Sequence, residues 1–336
     1  MKVSRASKRI VLAASVVLAF LTFACTSLPG VAPGGSQEAT TIRIAKQPGL
    51  GYLGLIVMRE KKLIEKYAPG VQVQWNELTS GPAIRDAILA GQLEVGSGGV
   101  APFIQGWDKG IKWRAAGALN DMPLYLNTNK PEINSLKDFK PTDKIALPAP
   151  GSIQHITLQM AAEKELGNPK ALDENIVAMA HPDGLQALLA KADIAAHFTS
   201  PPFQYDELKN PAIRRVLNSY DVLGGPHTFN LVWMGEDFKT KNPKLYKAFV
   251  DALKEATELI NKNPEETARL FVEAEKVKNA PDDILSQMKS EGIRFTMTPN
   301  GFMKYADFMK RTGVIEKTPG SWKDLVFDNL QNEAGS

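Results

Sequence analysis

The sequence has few of the residues that build covalent or metal-bound frameworks. It contains one cysteine, Cys25, and only four histidines among 336 residues. A single cysteine excludes a disulfide within one chain and a metal site built from several thiolates. The histidines, His155, His181, His197 and His227, show no H-x-x-x-H or comparable ligand spacing. We therefore expect no metal and no cofactor, and a metal-dependent solute binder remains only as an alternative.

Acidic residues are absent from positions 1–24, where basic residues precede an apolar run at positions 10–23. The basic residues of this segment are Lys2, Arg5, Lys8 and Arg9. The run is shorter than the roughly 20 apolar residues that a membrane span needs. The pattern is typical of an export signal, so we predict a signal peptide at residues 1–24.

The export signal ends in Leu-Thr-Phe-Ala-Cys at residues 21–25, which resembles the bacterial lipoprotein processing box. The resemblance implies that Cys25 becomes the lipidated first residue of the mature protein. A chance cysteine after an uncleaved anchor is the alternative. Residues 25–41 are rich in Gly, Pro and Ser and predict a flexible tether. We expect a protein that is lipid-anchored to the membrane, in the bacterial periplasm or at the cell surface.

No lysine or arginine cluster follows the signal, and removing its four basic residues takes the formal net charge from +3 to −1. Nucleic acid is therefore not an expected partner. Hydrophobic residues make up 43% and charged residues 23% of the chain, as in soluble globular proteins. The body is long enough for two domains.

The chain is organised around a strand, loop and helix in residues 41–67. A β-type run enters the glycine-rich turn at residues 47–52, and the apolar spacing from Leu53 onward predicts a helix. Such a junction directs backbone N–H groups and a helix dipole at an anion. The same order recurs twice, with the strands, loops and helices at 71–75, 79–82 and 83–89, and at 93–96, 97–102 and from 103. We expect the three loops to meet at one edge of a parallel sheet.

A second α/β unit begins after residue 126. We predict its strands at 145–147, 176–179, 194–198 and 213–217, and its helices at 153–166, with Ser152 as N-cap, and 183–189. A strand at 228–234 should cross back to the first unit. The C-terminal part is predicted to be helical, with helix starts at the Xaa-Pro pairs 242–243, 263–264, 280–281 and 298–299.

These elements predict an α/β protein with two Rossmann-like lobes. Lobe 1 should comprise residues 42–122 and 228–333, and lobe 2 residues 123–227. Two crossover strands, near 122–126 and 224–229, should join the lobes and act as a hinge. Since ligands of open α/β sheets bind beyond the carboxyl ends of the strands, the ligand cleft is expected between the lobes.

Several short motifs carry a family resemblance. They lie, in order, at residues 51–55, 61–67, 80–82, 87–96, 99–102, 135–139, 192–196 and 201–203. With them the chain resembles the periplasmic solute-binding proteins of nitrate, sulfonate and taurine ABC importers, a group that includes binders of thiamine pyrimidine precursors. The chain departs from the family at Glu94, where Asp is common, and at residues 199–202, where a Trp-Glu-Pro-like segment is common.

The resemblance implies a periplasmic binding protein of type II. It implies capture of a small organic anion, such as a sulfonate, taurine, nitrate or an aromatic carboxylate, without catalysis. The ligand would be delivered to a membrane permease driven by an ATPase on separate chains, and the binding protein would be a monomer. A binder of a pyrimidine-type thiamine precursor, or an exported enzyme on the same scaffold, stays open as an alternative.

A literal G-x-G-x-x-G spans residues 49–54, and Glu77 ends the next strand. This arrangement predicts a dinucleotide enzyme as a further alternative. Tyr52 opposes it, because a bulky side chain stands where the backbone would have to approach a pyrophosphate. An exported protein would also meet little free nicotinamide cofactor.

The predicted ligand contacts lie in the loops where strands end and helices begin. They are Gln47, Gly51, Tyr52, Thr79, Ser80, Gly81, Gly99, Val100, Asn120, Gly151, Ser152, Thr199, Ser200, Phe203 and His227. None of the helix-start loops contains a lysine or arginine; Lys46 precedes its loop, and Arg85 lies one turn into its helix. We therefore predict that backbone N–H groups and hydroxyls, rather than cations, hold the anion. A salt bridge from Arg85 is the alternative.

Overall fold

The computed structural model describes residues 38–336, which build two five-stranded β-sheets flanked by helices. The predicted signal peptide, Cys25 and most of the predicted tether lie outside the described residues. The protein body begins before residue 42, because the Glu38 carboxylate accepts hydrogen bonds from the backbone N–H groups of Lys244 and Leu245, each at 3.0 Å.

The first sheet has the strand order β2-β1-β3-β10-β4. Its strands are β1 (Thr41–Lys46), β2 (Gln72–Glu77), β3 (Val95–Gly99), β4 (Trp113–Ala118) and β10 (Asn230–Gly235). Strands β1, β2 and β3 are parallel, and β10 is antiparallel to both of its neighbours. The carboxyl ends of β1, β2 and β3 therefore share one edge, as the sequence predicts.

The second sheet has the order β7-β6-β8-β5-β9. Its strands are β5 (Tyr125–Thr128), β6 (Ile145–Leu147), β7 (Ile176–Ala178), β8 (Ala196–Thr199) and β9 (Arg214–Asn218). Strand β6 is parallel to β7 and β8, whereas β5 is antiparallel to β8 and β9. Each sheet thus carries one reversed strand next to the point where the chain passes between the sheets.

Thirteen α-helices are described in residues 38–336. They are α1 (Leu53–Glu60), α2 (Leu63–Tyr67), α3 (Gly81–Leu89), α4 (Val100–Asp108), α5 (Ile153–Leu166), α6 (His181–Leu189), α7 (Phe203–Leu208), α8 (Ser219–Leu223), α9 (Glu236–Lys241), α10 (Pro243–Lys262), α11 (Pro264–Glu275), α12 (Pro281–Met288) and α13 (Phe302–Arg311). Within this range, no helix combines the length and the apolar character that a membrane crossing requires.

Prolines fix most of the C-terminal helix starts. Helices α10, α11 and α12 begin at the proline of the predicted Xaa-Pro pair, where the missing N–H costs nothing. The fourth predicted start is wrong, because α13 begins at Phe302, after Gly301 with φ 72°. Helix α10 buries one stripe of its surface against the rest of the protein, as expected of an amphipathic helix.

Most predicted strands differ from the observed bounds by one or two residues, and three helices and strand β3 differ where strands end and helices begin. Helices α3, α4 and α6 begin two to three residues earlier than predicted, at Gly81, Val100 and His181. Strand β3 runs on to Gly99 and is buried throughout. A Cβ at Gly96 would lie 2.6 Å from the Trp233 ring, so only glycine lets that ring cross the strand. The helix starts therefore lie closer to the strand ends than the sequence indicates.

The chain passes between the sheets twice, after β4 and again before β10. Asp121, in the first passage, accepts hydrogen bonds from Arg294 at 2.6 Å and from Asn300 at 2.7 Å. Thr228, in the second passage, also donates to the Asp121 carboxylate, at 3.3 Å. Burial raises the pKa of Asp121, and these hydrogen bonds oppose the shift. The two passages are thus held side by side by one buried carboxylate.

The strand ends of the two sheets face each other and touch. The backbone N–H of Leu50, after β1, donates to the carbonyl of Pro201, after β8, at 3.0 Å. A Cβ at Gly99 would lie 2.6 Å from Ile153 of α5. The predicted α/β fold, with two sheets whose strand ends oppose each other, is confirmed.

Candidate functional site

A small cavity lies where the strand ends of the two sheets meet. Its cavity volume is ≈ 10 Å³, which is room for about one water molecule and far below the roughly 300–1,000 Å³ of ligand pockets, so the two sides are closed on each other. We call its two sides the first wall and the second wall. The first wall consists of Gln47, Tyr52, Gly81, Gly99, Pro102, Phe229 and Asn230, and the second wall of Pro148, Ser152, Ile153, Gln154 and His181.

Four helices begin at this cavity, and their caps differ. In α3 and α5, the N-cap hydroxyls of Ser80 and Ser152 each accept a backbone N–H of their own first turn at 3.3 Å. Helices α4 and α6 have no side-chain cap. The first N–H groups of an uncapped helix remain available to a ligand, and the helix dipole favours negative charge there.

The first wall contains a chain of three polar side chains. The Gln47 amide donates to the Tyr52 hydroxyl at 2.6 Å, and this hydroxyl donates to the Asn230 carbonyl oxygen Oδ1 at 3.3 Å. Burial raises the pKa of Tyr52 far above its ordinary value, although both hydrogen bonds lower it. The Tyr52 hydroxyl therefore stays neutral. The donors and acceptors of this series are fixed, with Gln47 donating to Tyr52 and Tyr52 donating to Asn230.

At the end of this hydrogen-bonded series, one donor group has no acceptor. Asn230 is completely buried, and its amide nitrogen Nδ2 has no hydrogen-bond partner among the described residues. An unmade hydrogen bond at a buried donor costs about 1–3 kcal/mol. Asn230 lines the cavity and Nδ2 now lies beside Gly51, so an acceptor atom of a ligand bound against this amide would satisfy Nδ2.

The second wall presents His181, the first residue of α6. Its Nδ1 lies 2.9 Å from the Thr199 hydroxyl and 3.4 Å from Nε2 of His197. Its Nε2 lies 3.3 Å from the Gln154 amide nitrogen. The Phe203 ring stacks on the imidazole, with ring centroids 5.7 Å apart. Burial, and next the neighbouring His197, hold the pKa of His181 well below its ordinary value, so the imidazole is neutral.

Among residues 38–336, no lysine, arginine, aspartate or glutamate lines the cavity. Lys46 is 2% exposed and is held by Glu77 at 2.5 Å and by Glu275 at 2.8 Å. Arg85 pairs with the neighbouring Asp86 at 2.9 Å. Within the described part of the chain, no group of three or more histidine, cysteine or carboxylate residues could hold a metal ion. The site can therefore offer hydrogen-bond donors but no positive side chain.

The predicted ligand contacts divide by position. Five of them line the cavity: Gln47, Tyr52, Gly81, Gly99 and Ser152. Three others support a wall: Ser80 caps α3, while Thr199 and Phe203 contact His181. Asn120 donates to the Gly51 carbonyl at 2.6 Å, and both residues lie behind the first wall.

The remaining predicted contacts lie off the cavity. Val100 is buried inside α4, Thr79 is exposed, and Ser200 is buried without lining the cavity. The Gly151 N–H donates to Nδ1 of His155 at 2.9 Å, so it is already used. His227 is buried in the second passage, where its Nε2 lies 2.9 Å from the Ser219 hydroxyl.

Sequence reasoning missed most of the second wall and part of the first. The missed residues are Pro102, Pro148, Ile153, Gln154, His181, Phe229 and Asn230. A signal for His181 was present, because Pro182 after it marks an N-terminal helix position. Placing the helix start at residue 183 hid that signal.

Comparison with known proteins places this architecture. A family model described as the NMT1-like family matches residues 35–274, more than half of the chain. The chain belongs to the NMT1-like family. A Brachyspira hyodysenteriae protein, provisionally named as an ABC transporter periplasmic binding protein, is 24% identical to this NMT1-like chain over 298 residues, covering 84% of this chain and 83% of the relative.

Solved structures share the fold of this NMT1-like protein. The alkanesulfonate-binding protein of Xanthomonas axonopodis pv. citri, bound to MOPS, aligns with a TM-score of 0.67 at 16% identity, over 84% of this chain and 96% of that chain. The periplasmic nitrate-binding protein of Synechocystis PCC 6803 aligns with a TM-score of 0.70 at 15% identity, over 87% and 86%. The predicted family resemblance is thus confirmed at the level of family and fold.

Proposed function

We propose that this NMT1-like protein is the extracytoplasmic substrate-binding component of an ABC importer and binds a small anion between its two walls. The observation that carries the proposal is the cavity itself, which joins hydrogen-bond donors from both sheets and, within the described part of the chain, is lined by no charged side chain. Sulfonate and nitrate are the ligand classes named for the two structural relatives, and both are small groups that only accept hydrogen bonds.

Neutral donors are sufficient for the affinity such a protein needs. Each hydrogen bond to a charged group contributes about 1.5–3 kcal/mol. Three or four of them, with the uncapped start of α4 or α6, support micromolar binding after the cost of association is met. The anion would contact both sheets only when they are close, so binding would favour the closed arrangement of the lobes.

Isothermal titration with a ligand panel tests the proposal. The panel is nitrate, ethanesulfonate, taurine, benzoate and a neutral aminopyrimidine. We expect micromolar binding of at least one anion and none of the pyrimidine. Asn230→Asp should abolish anion binding by placing a carboxylate in the first wall, while the exposed Asn76→Asp serves as matched control. Binding of the pyrimidine alone would favour the thiamine-precursor alternative and contradict the anion proposal.

The lobes and the hinge follow from the same proposal. Residues 42–122 with 228–333, and residues 123–227, would move as two lobes about the passages held by Asp121. Small-angle scattering should show a smaller radius of gyration at saturating anion. An unchanged radius at full occupancy would contradict the hinge.

The site offers recognition without a group placed for chemistry, so we propose binding without catalysis, by a monomer that hands its ligand to a permease. A lipid on Cys25 would hold the protein at the membrane surface. Mass spectrometry of native membranes should find an acylated N-terminal Cys25, and Cys25→Ser should release the protein. An unmodified Cys25 in native membranes would contradict the anchor.

A further inference from the structure

A buried chain of ionisable groups runs from the second wall into the second sheet. His197 Nδ1 lies 2.5 Å from the Glu207 carboxylate, and His197 Nε2 lies 3.4 Å from Nδ1 of His181. Glu207 and His197 are fully buried, and His181 is 4% exposed. Of these three residues, only His181 lines the cavity.

The proton count of Glu207 and His197 determines what His197 presents to His181. Asn127 donates to the other Glu207 oxygen at 2.8 Å, and no lysine or arginine of the described residues contacts Glu207. A buried carboxylate without a counter-charge is costly, so the pair should carry no net charge. Either His197 is an imidazolium beside a carboxylate, or a carboxylic acid donates its proton to Nδ1. In both arrangements, Nε2 of His197 carries a hydrogen.

The same hydrogen sets the tautomer of His181. Nε2–H of His197 points at Nδ1 of His181, and the Thr199 hydroxyl can donate to the same nitrogen. Nδ1 of His181 is therefore an acceptor. A neutral imidazole whose Nδ1 accepts must carry its own hydrogen on Nε2. Burial, which keeps the pKa of His181 low, supports the neutral form.

This tautomer turns His181 into a donor at the cavity. Its Nε2–H and the Gln154 amide nitrogen lie 3.3 Å apart, and both residues line the second wall. Two donors at this distance do not satisfy each other, so either the Gln154 amide turns its oxygen toward Nε2–H or both groups donate to one acceptor atom beside them. Asn230 Nδ2 is the corresponding unpartnered donor of the first wall.

We propose that Glu207 and His197 fix His181 as an Nε2–H donor, and that His181 and Gln154 together bind one oxygen of the ligand's anionic group. This inference rests on the proposed function for the ligand class, but not for the tautomer. It makes His181 a specificity-determining contact and His197 a positioning residue. Ligands would need an oxygen that only accepts, as in nitrate, a sulfonate or an ionised carboxylate.

Nitrogen NMR of the imidazoles tests the tautomer in the full mature protein without ligand. Long-range ¹H–¹⁵N correlation at pH 7 distinguishes a protonated from an unprotonated ring nitrogen. We expect unprotonated Nδ1 and protonated Nε2 for His181. In His197→Phe, which keeps a ring but removes both nitrogens, the His181 signals should show a mixture of tautomers. A His181 that carries its hydrogen on Nδ1 in the wild type would overturn the inference.

Isothermal titration with ethanesulfonate and with nitrate tests the contact. His181→Leu should weaken binding about tenfold or more, whereas His181→Gln, whose amide can donate from a similar position, should stay within about threefold of the wild type. His155→Gln is the matched control, because His155 lies off the cavity beside Asp173, at 3.1 Å. Thermal unfolding of each variant verifies folding.

The two failures are distinguishable. If no anion of the panel binds the wild type, the proposed function fails, and the tautomer measured by NMR still decides the role of Glu207 and His197. If an anion binds the wild type and His181→Leu with equal affinity, His181 is not a ligand contact, and this inference fails while the proposed function stands.

Discussion

The two walls of the cavity are built from different chemistry. The first wall depends on amides and a hydroxyl, the Gln47, Tyr52 and Asn230 chain, with backbone at Gly81 and Gly99. The second wall depends on an imidazole and is backed by a buried carboxylate and a second imidazole. Both walls have neutral linings, but only the second is connected to further buried ionisable groups.

This difference indicates what each wall contributes. The donors of the first wall are fixed by groups that do not change protonation between pH 5 and 8, so that wall should behave alike across conditions. The His181 donor of the second wall depends on which ring nitrogen of His197 carries a hydrogen. Substitutions at His197 or Glu207, away from the cavity, should therefore change it. The comparison can be tested with substitutions in each wall and with changes of pH.

The largest effect is expected where the walls touch. Gly99→Val would add a Cβ 2.6 Å from Ile153, and φ −68° at Gly99 suits any residue, so the cost is a clash between the walls. We expect anion affinity measured by isothermal titration to fall about a hundredfold, with the fold retained in circular dichroism. Gly235→Ala, where a Cβ meets no atom closer than 3.8 Å, is the control. Unchanged affinity in Gly99→Val would mean that the walls need not meet.

Acid should destabilise the protein through two buried histidines, His227 in the second passage and His181 in the second wall. Burial lowers the pKa of His227 to about 4, and burial also lowers the pKa of His181. In the unfolded chain these histidines have a pKa of about 6.5 and bind protons below it, whereas in the folded state they stay neutral. The free energy of unfolding therefore falls as the pH drops below about 6.5. From pH 7 to pH 5, His227 alone should cost about 2 kcal/mol of unfolding free energy.

Urea unfolding at pH 7 and pH 5 measures this loss of unfolding free energy. In His227→Gln, the loss between the two pH values should be smaller by about 2 kcal/mol. Hydrogen exchange locates the loss: amides of α6 should lose more protection at pH 5 than those of β1 and β3, because His181 lies in α6. Equal losses in these elements would contradict the contrast between the walls.

A smaller effect separates two serine caps. Ser152 lines the cavity and caps α5, whereas Ser80 caps α3 and does not line it. Each Ser→Ala change should cost about 1 kcal/mol of stability through the lost cap. Ser152→Ala should also weaken anion binding, and the double variant should bind about tenfold more weakly than wild type. A Ser80→Ala variant that lost as much affinity as Ser152→Ala would place the ligand nearer α3 than the cavity does.

The smallest effect is expected at Arg85. Its side chain pairs with Asp86 and does not line the cavity, so Arg85→Gln should leave anion affinity within about twofold of wild type in isothermal titration. The alternative from the sequence, a salt bridge from Arg85 to the ligand, requires a large loss instead. If Arg85→Gln abolishes binding while the double serine variant binds normally, the neutral-donor account is wrong.

The sequence predicts the first wall better than the second for a physical reason. Glycines and a Pro-Gly turn at residues 47–52 mark the end of β1, so Gln47 and Tyr52 could be found from local pattern alone. Neighbouring glycines or prolines also mark the turns that contain Gly81, Gly99 and Ser152. These positions are fixed by backbone requirements, and backbone requirements leave a signature in neighbouring residues.

Side chains brought together by long-range packing leave no such signature. Asn230 joins Tyr52 across 178 residues, and His181 joins His197 and Glu207 through three separate elements. His227 was placed at the cavity because it lies near a predicted passage between the lobes. Sequence position does not say which face a side chain takes, and His227 faces Ser219 instead.

A crystal structure of the mature protein with ethanesulfonate or nitrate would test the central claim most directly. We expect the anion between the walls, with oxygens at about 2.7–3.2 Å from Asn230 Nδ2 and from His181 Nε2, and with no lysine or arginine nitrogen in contact. An anion held by Lys46 or Arg85, or one bound outside the cavity, would contradict the account.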